Sequence, residues 1–161
     1  MVASVVDICN SALNQIGASN ITSLTEDSKA ARICNQRYEF VRDSVFRAHP
    51  WKALTRRASL APDATAPAFE FTKAFTLPTD PYCLRVLYLR DHDIPYRLEG
   101  RKILCDEDTV ELVYLARITD TSEYDSLLIE TLTAAMAADL AYPLVGSNTL
   151  AQTMRVLYED K

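Results

Sequence analysis

Two acidic segments are the places where this sequence offers metal chemistry. Residues 91–93 read Asp-His-Asp, and residues 106–108 read Asp-Glu-Asp. Carboxylate oxygens with one imidazole could hold a divalent cation if the two segments met. Solvated hairpin turns prefer the same polar residues. We therefore interpret both segments as turns and predict no metal site and no cofactor.

Glycoside hydrolysis is a second chemistry to weigh, because it needs two carboxylates roughly 5 to 9.5 Å apart across a cleft. Four acidic residues near predicted strand ends could supply them: Glu99, Asp106, Glu107 and Glu111. Their positions fit turns better. His49 precedes Pro50 at a helix end, where a cation is favourable, and it has no second histidine beside it. We predict no catalytic residues and keep a peptidoglycan hydrolase as an alternative.

A basic segment is the best candidate for binding a partner. Residues 29–57 carry a net charge of +6, residues 58–161 carry −8, and the whole chain carries −5. This division suits head-to-tail contact between copies or docking on an acidic partner. The predicted interface residues here are Arg42, Phe46, Arg47, Lys52, Arg56 and Arg57. A solvated helix face and contact with nucleic acid remain alternatives.

Apolar residues at helical spacing predict four helices, at about 4–16, 26–49, 123–142 and 147–158. Ser4 and Asp7 form a capping box for the first helix, and Thr25 or Asp27 could cap the second. Pro50 should end the second helix, and Pro143 should end the third. Ser122 with Asp125 opens the third helix.

Several helical residues point to contacts beyond a simple hairpin. Ile33 and Phe40 form a second apolar ridge on the 26–49 helix, so this helix should meet more than one neighbour. Asp139 interrupts an apolar stripe and should be buried with a partner, either Arg37 or the Tyr38 hydroxyl. The last helix presents an apolar face that could complete the bundle or bind a partner. This face comprises Leu150, Met154 and Leu157.

The middle of the chain has the pattern of short strands. Runs at 84–89, 96–98, 102–105 and 110–118 are separated by tight turns and predict an antiparallel meander. The sequence therefore predicts one α+β domain. A helical bundle from the N- and C-terminal regions should carry an inserted small antiparallel β-sheet at about 51–118.

Composition places the protein in an ordinary globular class, with 48% hydrophobic and 24% charged residues. The four cysteines lack zinc-site spacing and are expected to be reduced thiols. The sequence shows neither a signal-peptide pattern nor a membrane span of about 18 apolar residues, so we expect a cytoplasmic protein without membrane contact.

Five segments resemble the phage head-to-tail adaptor (connector) family, typified by the tail tubular protein of short-tailed phages. They are DICNSALNQIGAS, SLTEDSKAARICNQRYEFVRDSVFRAHPW, AFTLPTDPYCLRVLYL, YRLEGRKILCDEDTVELVYLARITD and LLIETLTAAMAADLAYPLVGS. Together they span most of the chain. They consist of packing residues, and the sequence departs from the family by stopping soon after its last helix.

This resemblance implies a non-enzymatic virion protein. Such adaptors form a ring, dodecameric by resemblance, under the portal protein at the head-tail junction. The ring extends the DNA channel and presents a docking surface to the downstream tail protein. Packaged DNA would pass through without sequence-specific binding. The alternative from the residues themselves is a nucleic-acid-binding accessory factor that uses the basic segment.

Overall fold

The fold is α+β, as predicted, with helices at both ends of the chain and antiparallel strands between them. The computed structural model describes residues 3–160. The chain divides into two compact units. The helical unit comprises residues 3–49 and 119–160, and the β unit comprises residues 50–118.

The first helix, α1, runs from Val5 to Gln15 and has the predicted capping box. The Ser4 amide donates to Asp7 Oδ2 at 2.9 Å, and the Asp7 amide donates to Ser4 Oγ at 3.1 Å. These bonds satisfy two amides that a helix start leaves without intrahelical partners. The prediction for this helix is confirmed.

The second helix, α2 (Lys29–Ala48), begins later than predicted, because Ser28 is its cap and not Thr25 or Asp27. Glu26 explains the difference. Its carboxylate accepts hydrogen bonds from the amide and hydroxyl of Thr22 and from the Ser28 hydroxyl, which hold this stretch in a turn. The helix ends at Ala48, before Pro50, as predicted.

The third helix, α3 (Ser126–Val145), is shifted from its predicted range. Asp125 caps it, while Ser122 lies in a preceding 3-10 turn. Pro143 lies inside the last turns and does not end the helix. A proline there removes only one backbone donor. Gly146, at φ 75°, supplies the left-handed residue that ends the helix, and its amide donates to the Tyr142 carbonyl at 2.8 Å.

Helix α3 is the centre of the helical unit and packs against α1, α2 and a fourth helix, α4 (Asn148–Glu159). Its length and mean hydropathy of 1.3 would suffice to cross a membrane, yet 61% of that stretch is buried inside the structure, as in the core helix of a globular protein. Ser147 caps α4, close to the predicted start.

The β unit contains six strands within the described residues: β1 (Thr55–Leu60), β2 (Lys73–Thr76), β3 (Cys83–Leu89), β4 (Arg97–Glu99), β5 (Lys102–Cys105) and β6 (Val110–Ala116). They form two antiparallel three-stranded sheets with the orders β1-β6-β3 and β2-β5-β4.

The predicted meander is therefore wrong, because β4 and β5 are the one pair of consecutive strands that are neighbours in the sheets of residues 50–118. Strand β6 explains the difference. It is buried at every position except Glu111, so it takes the centre of a sheet and pairs on one side with β1, which lies far away in sequence. Both pairing partners of β6, β1 and β3, lie beyond the turn that precedes it, so local spacing does not reveal them.

Two arginine side chains hold the connecting segment that precedes β3 in the β unit. Arg101 donates to the carbonyls of Pro78 and Cys83, and its guanidinium carbon lies 3.9 Å from the centre of the Tyr82 ring. The guanidinium of Arg117 lies 4.4 Å from the same ring. These contacts fix the segment that leads into β3.

Candidate interaction surfaces

The basic segment does not form one exposed face. Arg42 is only 7% exposed, and its Nε donates to Asp43 Oδ1 at 3.0 Å. Phe46, expected on an outer flank of α2, is fully buried and makes an edge-to-face contact with Tyr124 at 5.5 Å between ring centres. The chain before α3 covers this flank, which the α2 sequence alone could not reveal. Neither side chain has surface left for a partner.

The remaining basic residues are divided between the two units. Arg47, in the helical unit, is exposed, as are Lys52 and Arg57 in the β unit. Arg56 is half-buried and donates to the carbonyls of Ala53 and Thr55, both at 3.0 Å. Arg47, Lys52 and Arg57 therefore remain candidates for partner contact.

The predicted apolar face of α4 is only partly covered. Met154 is buried and Leu150 is half-buried, so these residues pack largely within the helical unit. Leu157 is 46% exposed, and neighbouring Val156 is 54% exposed. One part of α4 thus completes the bundle, while its last turns leave apolar surface uncovered.

The acidic segments lie in exposed turns. Asp91 Oδ1 accepts the Asp93 amide at 3.0 Å, and the His92 ring stacks on Tyr88 at 5.1 Å. Within residues 3–160, no group of three or more His, Cys, Asp or Glu residues is arranged to hold a metal ion.

The carboxylates considered for hydrolysis are also accounted for by local contacts or exposure. Asp106 accepts from the amide and hydroxyl of Thr72, at 2.9 and 3.1 Å. Glu111 forms an ion pair with Arg90 at 2.8 Å. Glu99 and Glu107 are exposed.

All four cysteines are free thiols and are buried. Cys9 on α1 lies beside Cys34 on α2, and this neighbouring thiol raises the pKa of Cys9. Burial adds to the increase at Cys9. The pair packs as small apolar residues in the helical core.

A groove on the helical unit is the most distinctive surface. It is formed by α2, α3 and α4, with a volume of about 230 Å³. Buried Val41, Val45, Ala135 and Ala138 form its floor. Phe40 (66% exposed), Arg37, Ser44, Arg155 and Tyr158 form its rim. We call this feature the cationic groove.

One wall of the cationic groove is held by an ion pair. Arg37 Nε donates to Asp139 Oδ2 at 2.8 Å, and Arg37 Nη2 donates to Asp139 Oδ1 at 3.2 Å. The predicted pairing with Arg37 is thus confirmed. The expected full burial is wrong, because the Asp139 side chain is 27% exposed.

The ion pair also fixes the rim of the groove. The hydrogen bond from Arg37 to Asp139 raises the Arg37 pKa, and the guanidinium lies 5.6 Å from the Phe40 ring centre. The Tyr38 hydroxyl, the other partner considered for Asp139, is enclosed and makes no hydrogen bond within the described residues. Arg155 has no ion-pair partner within residues 3–160, so its charge faces the groove uncompensated.

A loop of the β unit presents the most exposed large apolar residue among the described residues. Phe69 is 81% exposed and precedes Glu70, which has φ 73°. The Phe71 amide donates to the Phe69 carbonyl at 2.9 Å, so these residues form a strained γ-turn. Backbone strain of this kind costs about 1–3 kcal/mol and clusters at functional sites. We call this feature the Phe69 turn.

Both ends of the loop that carries the Phe69 turn are fixed. The Asp63 amide donates to the Ala74 carbonyl at 2.7 Å, and the Asp63 carboxylate accepts from Thr76 and Lys102. At the other end, Thr72 donates to Asp106. The turn is therefore displayed on a supported loop.

Sequence patterns gave partial signals for both features. The Ile33–Phe40 ridge indicated a second neighbour for α2, and the structure places Phe40 on the rim of the cationic groove. Phe69 lies after a Pro/Ala-rich stretch, where composition gives no indication of a γ-turn.

The sequence matches no protein-family model, and a search of curated proteins finds no significant relative.

Proposed function

We propose that this protein is a head-to-tail adaptor of a virion or virion-like particle. In this role it is a structural subunit that forms a ring under the portal protein, extends the DNA channel and presents a docking surface to a tail protein. Assembly would take place in the host cytoplasm. No catalytic group takes part.

The observation that carries this proposal is the uncovered apolar surface of the helical unit. Six large apolar residues of α2, α3 and α4 are 44% to 66% exposed: Phe40, Leu127, Tyr142, Val145, Val156 and Leu157. Single exposed apolar residues are ordinary, but several on adjoining elements are typical of subunit interfaces. Because each side chain is already about half buried, burying the rest would contribute roughly half of the 1.5–3 kcal/mol of a fully exposed one.

The charge distribution supports a subunit that lines a DNA channel better than a protein that binds nucleic acid. Residues 1–49 and 119–161 contain seven basic and twelve acidic residues, and residues 50–118 contain ten of each. A wall that attracted phosphates strongly would retain DNA and oppose its passage. Burial of Arg42 and the local bonds of Arg56 reduce the basic surface further.

Mixing the purified chain with portal particles tests this proposal. Light scattering should find mostly monomer alone, because a subunit that formed rings unaided would close before meeting its portal. Electron microscopy should find a ring on the portal with matching symmetry, since the template holds neighbours at high effective concentration.

Surface variants sharpen this test. The pair Val156→Ser and Leu157→Ser should weaken ring formation while the monomer stays folded by circular dichroism. Lys29→Glu, at an exposed position on α2, is the control. Absence of portal association by the unmodified chain at every salt concentration would refute the adaptor function.

A further inference from the structure

We propose that the Phe69 turn of one copy docks into the cationic groove of the next copy. This inference rests on the proposed function, because it names the contact that joins neighbours in the ring. The contact is heterologous: it uses a different surface on each partner, and such contacts close into rings when the rotation between copies allows.

The two surfaces match in apolar character. The groove has a floor of small and branched side chains, and its volume of about 230 Å³ has room for one aromatic ring. The Phe69 side chain is 81% exposed, so no other part of the described chain covers its ring. On the rim, Phe40 can meet an incoming ring edge-to-face, as aromatic pairs prefer.

Their charges match as well. Glu70 follows Phe69 directly, so its carboxylate enters with the ring. Arg155 offers an uncompensated guanidinium on the groove rim, whereas the nearby Arg37 is occupied by Asp139. Glu70 has one distant ion pair within its own unit, to Arg97 at 3.8 Å, which leaves it available. Such a pair contributes register and specificity more than affinity.

The supported loop favours this occupant over a flexible segment. Bonds at Asp63 and Thr72 hold the two ends of the loop, and the γ-turn fixes its tip. A preorganised turn loses little conformational entropy on docking. One aromatic ring and one ion pair form a small interface, which is consistent with weak pairwise contact and stable rings only on a template.

Engineered disulfides test the contact directly. Ala68→Cys beside the turn and Ser44→Cys on the groove rim, combined in one chain, should cross-link neighbours upon oxidation of portal-bound rings. The native cysteines are buried and should not interfere. We expect a ladder of covalent oligomers in denaturing gels without reductant. The control pairs Ser44→Cys with Ser59→Cys on β1 and should give no ladder.

Charge exchange gives an independent measurement. Arg155→Glu and Glu70→Arg should each reduce ring occupancy on the portal about tenfold, and the double variant should recover to within about threefold of the unmodified chain. Lys29→Glu should leave occupancy unchanged. Recovery of ring occupancy in the double variant shows that Glu70 and Arg155 pair, because the losses from two independent surface changes would add.

The outcomes separate this contact from the adaptor function. Rings on the portal without a ladder, or with equal ladders in both cysteine pairs, would overturn the contact and leave the function standing. If the portal is not bound, the same oxidation at millimolar free protein still decides the contact. Cross-linking of a tail or portal segment to Ser44→Cys, instead of a second copy, would also overturn it.

Discussion

The helical unit and the β unit are stabilised in different ways. In the helical unit, α3 is buried almost continuously from Leu128 to Ala141, and its neighbours cover it with apolar side chains. The β unit also has an apolar core, but polar side chains fix its long connections. Arg101 holds the entry to β3, and Asp63 and Asp106 hold the loop before β2.

This difference explains where each unit can present new surface. In a bundle whose helices pack through apolar stripes, apolar residues outside these stripes stay exposed, as Phe40 and Leu157 do. A small sheet with fixed connections can instead display a single residue at a defined position, as with Phe69. Substitutions in the two units should therefore differ in size and in pH dependence.

The largest effect is expected in the helical core. Leu132→Ala removes a fully buried side chain of α3 and should reduce the free energy of unfolding by about 2–5 kcal/mol. Urea unfolding would measure it. Leu127→Ala, on the same helix but 53% exposed, is the matched control and should change stability by less than about 1 kcal/mol. Equal effects would mean that α3 is not the centre of the unit.

In the β unit a marked effect should also come from a polar residue. Arg101→Ala removes hydrogen bonds to two carbonyls and the contact with Tyr82, and should cost about 2 kcal/mol. Urea unfolding with the exposed Arg97→Ala as control measures this, and the control should stay within about 0.5 kcal/mol. If Arg101→Ala leaves the free energy of unfolding unchanged, the hydrogen bonds of Arg101 do not stabilise the β unit.

The start of α2 can be tested by its cap. Ser28→Ala should destabilise by about 1 kcal/mol, because the Ser28 hydroxyl accepts the Ala31 amide at 3.2 Å. Thr25→Ala should be close to neutral, since Thr25 lies before the helix. Thermal melting of both variants decides between the two starts. A larger loss of stability for Thr25→Ala than for Ser28→Ala would mean that the helix begins at Thr25.

A pH-dependent contribution is expected at Asp63. The Lys102 hydrogen bond, with those from Thr76, lowers the Asp63 pKa in the folded protein. A lowered pKa stabilises the fold above the unfolded value of about 3.9, and this contribution is lost as the pH falls through the folded pKa. Asp63→Asn should therefore cost about 1 kcal/mol at pH 7 and progressively less below about pH 4.

Melting curves across this pH range, with Asp93→Asn in an exposed turn as control, measure the Asp63 effect. A stability difference that persists unchanged to about pH 2, below the usual range of carboxyl pKa values, would show that Asp63 acts through packing and not through its charge.

The smallest effect should be the coupling between Arg37 and Asp139. Their side chains are 45% and 27% exposed, so solvent screening limits the pair to about 0.5–1 kcal/mol. A double-mutant cycle with Arg37→Ala, Asp139→Ala and the combined variant measures it, and the coupling should decrease in high salt. A coupling above about 2 kcal/mol would indicate a buried pair.

Local chemistry determined which parts of the fold were predictable. The capping box at Ser4 and the cap at Ser147 act over three residues, so sequence spacing reveals them. The start of α2 depended on where the Glu26 side chain bonds, and strand pairing depended on contacts between distant segments such as β1 and β6.

The interaction surfaces were only partly predictable for a related reason. A helical pattern shows which residues face a core, but it does not show what else covers the helix. Phe46 and Arg42 on α2 lie near Tyr124, far along the chain, and this proximity removed them from the surface. Phe40 lacks such a cover among the described residues.

The division of the helical unit between the two ends of the chain has a consequence for synthesis. The ribosome releases α1 and α2 first, and α3 follows about 80 residues later, which takes roughly 4–16 s at ordinary elongation rates. During that interval the β unit is being synthesised, and the apolar stripe that α1 and α2 present to α3 lacks its core helix. The nascent chain therefore passes through a stage in which a chaperone or a second nascent copy can reach this stripe.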